Sequence, residues 1–210
     1  MIRIPQPLRP EKIGCHHQDP QASILLGEGL FGFLKDSPGT PVILCIGTDR
    51  STGDALGPLV GTMLSQHSLR AAVYGTLKSP VHATNLQETL ASVYREQENP
   101  LIIAVDACLG KLENVGYILL GSGPLKPGAG VNKDLPPVGD IHFTGVVNVG
   151  GYMEYLVLQN TRLYQVMEMA SKIAQAVLYA FQLLEGKGRG SIKMASASES
   201  GSIFPLPPHR

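Results

Sequence analysis

The chain has no tryptophan, only three cysteines, and charge on just 16% of its 210 residues. The missing tryptophan excludes nothing by itself. Cys15, Cys45 and Cys108 are odd in number and lack paired spacing, which argues against a disulfide scaffold and for a reducing compartment. Cys45 and Cys108 lie in or beside apolar runs, where a reduced thiol behaves as a small hydrophobe. Neither sign of charge is in excess, since Lys+Arg and Asp+Glu both number 17. A nucleic-acid binder ordinarily carries a basic excess, so no direct nucleic-acid partner is expected. No segment approaches the ~20 apolar residues of a spanning helix. The opening Met1-Ile-Arg-Ile-Pro-Gln-Pro-Leu-Arg-Pro10 has no apolar core of signal-peptide length. A cytoplasmic protein with no membrane partner is expected.

What is present alternates between strand and helix patterns. Residues 1–22 are rich in proline and read as an irregular arm. Cys15-His16-His17 is a metal-binding fragment only if distant ligands join it. Ser23 is the expected cap of a first helix carrying Ile24, Leu25, Leu30, Phe31 and Leu34. The apolar run Val42 to Ile46, bounded by Pro41 and Gly47, reads as a buried strand. A small polar loop follows, then a helix through Leu56, Leu59, Val60, Met63 and Leu64. Proline is tolerated only in a helix's first turn, so Pro58 places Asp54 at or just ahead of that helix. Ala71 to Tyr74 is a short strand. Asn85 and Glu88 are spaced for a capping box on the next helix. Leu101-Ile-Ile-Ala-Val105 reads as a central parallel strand ending in Asp106, and Val115 to Leu120 as a further strand. A Gly/Pro-rich loop spans residues 121–140 and is long enough to be functional. Apolar residues from Leu163 to Leu184 then recur at helical spacing up to Gly186. The expectation is a single α/β domain over residues 23–186, a three-layer sandwich with a largely parallel sheet. Residues 187–210, rich in Gly, Ser and Pro, read as a flexible C-terminal tail.

Two aspartates follow the two best strands. If those strands are neighbours, Asp54 and Asp106 open into one crevice at the carboxyl edge of the sheet. Paired carboxylates repel when both are ionised, which separates an acid from a base at one pH. His142, from the end of the long loop, is the preferred third group. Asp54, Asp106 and His142 together would suit a divalent metal, though the acid pair requires no cofactor. His82 is a second candidate imidazole, in a loop after a strand. Asp54 could equally be a helix cap, Asp49 reads as a turn residue, and Cys108 would need an activating base to act as a nucleophile. Gly47-Thr-Asp-Arg-Ser-Thr-Gly53 lacks the Gly-Lys-Ser/Thr ending of a phosphate loop and the glycine spacing of a dinucleotide fingerprint. No Gly-x-Ser-x-Gly nucleophile elbow is present in a strand-to-helix context.

Three segments carry a family likeness: Ile46-Gly-Thr-Asp-Arg-Ser-Thr-Gly-Asp-Ala-Leu-Gly-Pro58, Ile103-Ala-Val-Asp-Ala107 and Val149-Gly-Gly-Tyr-Met-Glu154. They resemble the YyaC-type sporulation proteins of spore-forming bacteria, as do Gly128 to Pro136 and Leu158 to Arg162. The chain is also similar to the spore germination protease, whose Thr-Pro-Asp-Ala-Leu-Gly-Pro motif falls on Thr52 to Pro58 with Gly53 in place of proline. That protease's strand-ending Asp-Ala falls on Asp106-Ala107. A more distant likeness is to the hydrogenase maturation endopeptidases, whose acidic ligands would fall on Asp54 and Asp106 and whose histidine, by chain order, on His142.

This resemblance implies a three-layer α/β/α fold with its site at the strand ends. It implies a sporulation-associated peptidase in which Asp54 and Asp106 are catalytic. Small acid-soluble spore proteins are the implied partners, in the forespore or spore interior. A homo-oligomer is compatible with it. The rival expectation is a non-catalytic protein that keeps the cleft to bind a peptide, a partner or a metal.

Overall fold

A computed structural model describes residues 12–127 and 135–186. The expected tail over 187–210 and the centre of the Gly/Pro-rich loop, 128–134, lie outside the described residues. Six strands form one mixed sheet in the order β1-β5-β6-β4-β2-β3. The strands are β1 Lys12–His16, β2 Thr40–Cys45, β3 Ala72–Tyr74, β4 Pro100–Gly110, β5 Tyr117–Ser122 and β6 Ile141–Val149. Strands β3, β2, β4 and β6 run parallel, while β5 and β1 extend the sheet antiparallel.

The run Leu101 to Val105 lies in β4, which pairs with parallel neighbours on both sides. Its side chains alternate between two cores. Ile103 and Val105 pack into the larger one with α1 Ala22–Leu34, α2 Leu56–Leu64 and α5 Leu163–Leu184. Ile102 and Ala104 face the smaller one, covered by α3 Leu86–Glu96. A strand buried on both faces needs apolar residues at every position, which is why this run shows no polar alternation. The architecture is therefore the expected three-layer α/β sandwich.

Three expectations are corrected. Residues 12–16 of the expected irregular arm are not irregular, because Lys12–His16 pairs with β5 as an edge strand. Its Cys15 is buried, with Sγ 3.8 Å from the Ala22 carbonyl oxygen. Ser23 does not cap α1, which begins one residue earlier. The Gln21 N–H instead bonds Asp19 Oδ1 at 2.8 Å, a local turn that leads into the helix. Asn85 stands at the start of α3 but makes no capping bond there. Its Oδ1 accepts the His82 N–H at 2.8 Å and its Nδ2 donates to the Pro80 carbonyl at 3.0 Å. Asn85 thus ties down the loop ahead of the helix.

Candidate active site

Asp54 and Asp106 line one cleft of about 390 Å³, together with Thr48, Arg50, His82 and Thr84. That volume lies within the usual range of small-ligand sites. The cleft opens at the carboxyl end of β2, beside the middle of β4; the two are adjacent parallel strands paired from Thr40↔Pro100 to Cys45↔Val105. The Ile46 N–H continues this pairing onto the Val105 carbonyl at 2.7 Å. Asp106 does not end its strand as expected, because β4 runs on to Gly110 alongside β6; Asp106 is instead the first β4 residue beyond the end of its pairing with β2. It shares the parity of Ile102 and Ala104 and faces the α3 side of the sheet.

The loop from Gly47 to Asp54 brings the second carboxyl back to the same cleft. Gly47 has φ +142°, and a Cβ there would run into the Asp54 carbonyl oxygen. Only glycine accommodates both constraints. The Thr48 N–H then closes the loop on the same carbonyl at 3.1 Å. Asp54 occupies a single 3-10 turn, Gly53–Ala55, directly before α2. A short helix, α4 Glu154–Gln159, buttresses this turn. A Cβ on Gly53 would lie 2.7 Å from Leu158 Cδ2 and 3.1 Å from Thr161 Oγ1. Sequence periodicity misses α4, which has only six residues and starts from Met153 in the left-handed region at φ 52°.

The helix-cap reading of Asp54 gains no support. Ala55 is the residue that precedes α2, and no side chain caps either that helix or the 3-10 turn. Burial alone raises the Asp54 carboxyl above its ordinary value of 3.8. Asp106 is buried, and its Oδ1 accepts the Ala107 N–H at 2.9 Å. The two acids thus sit in environments that differ in kind.

His142 is not brought to this cleft. It lies in register with Ala104, two residues short of Asp106, which pairs with Thr144. Its Nδ1 donates to the Gly123 carbonyl at 2.8 Å. Chain order suggested His142, but β6 enters the sheet lower than that argument requires. Among the described residues, no three His, Cys, Asp or Glu side chains stand close enough to hold a metal ion. The Asp54, Asp106 and His142 ligand set is therefore not assembled. The Cys15-His16-His17 fragment gathers no further ligands either, and the His17 Nδ1 donates to the Gly116 carbonyl at 3.0 Å.

The imidazole in the cleft is His82. Val81 forms a parallel bridge with Ile46, and its carbonyl accepts the Gly47 N–H at 2.8 Å. The loop after β3 therefore runs beside the end of β2 and carries His82 to the site. His82 Nδ1 shares a 2.8 Å hydrogen bond with Thr84 Oγ1, which orients the ring. Arg50 was not singled out in the sequence, and the only local sign was its place in the loop between Asp49 and Asp54. Leu135, from the Gly/Pro-rich loop, also lines the cleft. Cys108 is unsuited to nucleophilic attack, because burial first, then Asp106, pushes its thiol up to about 11.

These features define an α/β protein with two carboxyls lining one cleft where β2 ends beside β4. Residues 14–176 match the family described as "Protein of unknown function (DUF1256)". The chain is also 54% identical over 163 residues to "Uncharacterized protein YyaC" of Bacillus subtilis (strain 168), covering 77% of this chain and 80% of that one. The chain belongs to this DUF1256 family. Among solved structures it is similar to a NiFe hydrogenase maturation protease, HycI from Thermococcus kodakarensis KOD1. That likeness has a TM-score of 0.44 at 17% identity, covering 71% of this chain and 98% of that one. Among the described residues no helix is long and apolar enough to cross a membrane.

Proposed function

We propose that this protein is a peptidase that hydrolyses a peptide bond of a protein substrate with Asp54 and Asp106. The observation that carries the reading is the meeting of these two carboxyls in one cleft, in unlike environments. Desolvation suits Asp54 to hold a proton as the acid, and the Ala107 N–H suits Asp106 to act as the ionised base. Asp106 takes a proton from water, and the hydroxyl oxygen bonds to the scissile carbonyl carbon. Asp54 gives its proton to the carbonyl oxygen. On collapse the C–N bond breaks, the leaving nitrogen receives the proton held by Asp106, and Asp54 recovers its own. His82, oriented by Thr84, assists proton movement at the mouth of the site.

The motif likeness to the spore germination protease at Thr52 to Pro58 and Asp106-Ala107 supports a sporulation role. It also makes small acid-soluble spore proteins the first substrates to test, in the forespore. Purified protein should cleave them, and Asp54→Asn and Asp106→Asn should each lower kcat/KM by about 10²–10⁴-fold, the usual range for a lost acid or base. Uncut substrate, or Asn variants as active as wild type, would refute the peptidase reading. A protein that binds these substrates without cutting them would instead fit a non-catalytic role for the cleft.

A further inference from the structure

We propose that this protein takes its substrate as an extended strand, added to the free edge of β4 directly beyond Asp106. This deepens the peptidase reading of the same site, and the binding step can be tested apart from cutting. β2 ends at Cys45, and the Ile46 N–H makes the last bond to β4 at the Val105 carbonyl. β4 runs on to Gly110 with β6 as its neighbour on one side. Backbone groups alternate in direction along a strand, so those of Ala107 and Leu109 share the direction of Val105, away from β6. The Gly110 carbonyl fits this alternation, since it accepts the Gly150 N–H at 2.8 Å on the β6 side. The Ala107 N–H is taken by Asp106 Oδ1. Among the described residues no strand pairs with the Ala107 carbonyl or with the Leu109 N–H and carbonyl. Both residues are partly exposed.

Unpaired backbone groups along an edge are the recognition element of strand addition. In a parallel ladder one residue of the incoming strand donates to one carbonyl and accepts the N–H two residues further on. A single substrate residue can therefore bond both Ala107 and Leu109, next to the Asp106 carboxyl. Sheet edges are ordinarily blunted by short length, lysine or proline. The outer edges of this sheet follow that rule, as β3 has three residues and β1 begins with Lys12. The inner edge, Ala107-Cys-Leu-Gly110, carries neither charge nor proline. A folded helix or sheet already pairs its own N–H and C=O groups. The substrate class is thus a locally unfolded polypeptide segment, recognised through its backbone.

The first arm of the test is amide hydrogen exchange, read by NMR. In free wild type the Leu109 N–H should exchange about tenfold faster than those of Cys108 and Gly110, which face β6. The probes are fluorescein-labelled random octapeptides capped at both ends, and the same pool made wholly of N-methyl residues. By anisotropy, wild type should bind the first pool about tenfold more tightly, the worth of a lost hydrogen bond. In the tightest binder, single N-methyl groups should weaken binding about tenfold at alternate residues only, the period of a strand. The same peptide should slow Leu109 exchange, measured in Asp54→Asn where wild type cuts it. Leu109→Pro removes a donor from an edge, where proline is tolerated, and should weaken the binder about tenfold. A Leu109 N–H already slow in the free protein, equal binding of the two pools, no binding of either, or N-methyl effects without alternation would overturn the proposal. Free-protein exchange and the N-methyl series use wild type, so they decide the matter even where Leu109→Pro misfolds. Binding that protects Leu109 without any cutting by mass spectrometry keeps this inference and removes the peptidase reading. Cutting without Leu109 protection does the reverse.

Discussion

At the margin where β6 enters the sheet, polar side chains are spent on the backbone. His142 donates to the Gly123 carbonyl, and Asp140 Oδ2 accepts the Ile102 N–H at 2.8 Å. Where β2 leaves the sheet, they are not. The Asp54 carboxyl accepts no hydrogen bond from any described residue, and among the described residues the Arg50 guanidinium has no carboxylate partner. A buried polar group is normally paired. Those at the β6 margin meet that rule and hold the antiparallel extension in register. At the cleft the Asp54 carboxyl leaves its capacity to a ligand, while Asp106 and His82 are hydrogen-bonded. The difference separates structural from functional polar residues where residue type cannot, since each region has a histidine and an aspartate.

The histidines offer the largest test of this contrast after the aspartates themselves. His82→Gln should lower kcat/KM on a cleaved peptide by about 10–10²-fold, within the span of acid–base assistance, with little change in melting temperature. His142→Gln should leave kcat/KM unchanged and cost about 1 kcal/mol of stability through the Gly123 contact. The reverse pattern, with activity following His142, would dissolve the distinction. A middle-sized effect is expected at Asp140. Asp140→Ala leaves the Ile102 N–H without its acceptor and should destabilise the fold by about 1–2 kcal/mol in urea titration, with activity per folded molecule retained. Lost activity in fully folded protein would show that the β6 margin takes part in function.

Why these roles could not all be told apart in advance follows from what is local. Asp106 was legible because an apolar run ending in Asp is visible within six residues. Asp54 was legible because Pro58 limits where a helix can begin. The long α5 was legible because many turns repeat its period. His142 depended on the register of β6 against β4, which is set by contacts between residues 38 positions apart, such as Ile102 with Asp140. His82 depended on a bridge between Val81 and Ile46 across the intervening α2 and β3. Strand β1 was hidden by its five-residue length, by Gly14 and by the proline-rich stretch before it. The sheet positions these groups, and pairing between distant segments leaves little trace in any one segment.

The smallest expected effect carries the sharpest sign. Burial raises the Asp54 carboxyl in the folded chain, so the folded state holds that proton more tightly than the unfolded state does. Stability from this group is fully present below the unfolded carboxylate value of 3.8. It is lost as pH rises through the higher folded value, above which an ionised Asp54 is a net cost. Asp54→Asn removes the cost but keeps the shape. The variant should therefore melt above wild type at pH 7 and converge with it near pH 3. For a chain of this length each 1 kcal/mol corresponds to about 2–4 °C, so the gain should be a few degrees at most. A structural aspartate would behave oppositely, because losing a paired carboxylate lowers the melting point at neutral pH. A variant that is inactive and yet more stable would mark Asp54 as a residue held in place at the expense of the fold, the stability–activity trade-off expected of a site. An Asn variant less stable than wild type at pH 7 would move Asp54 to the structural side of the comparison.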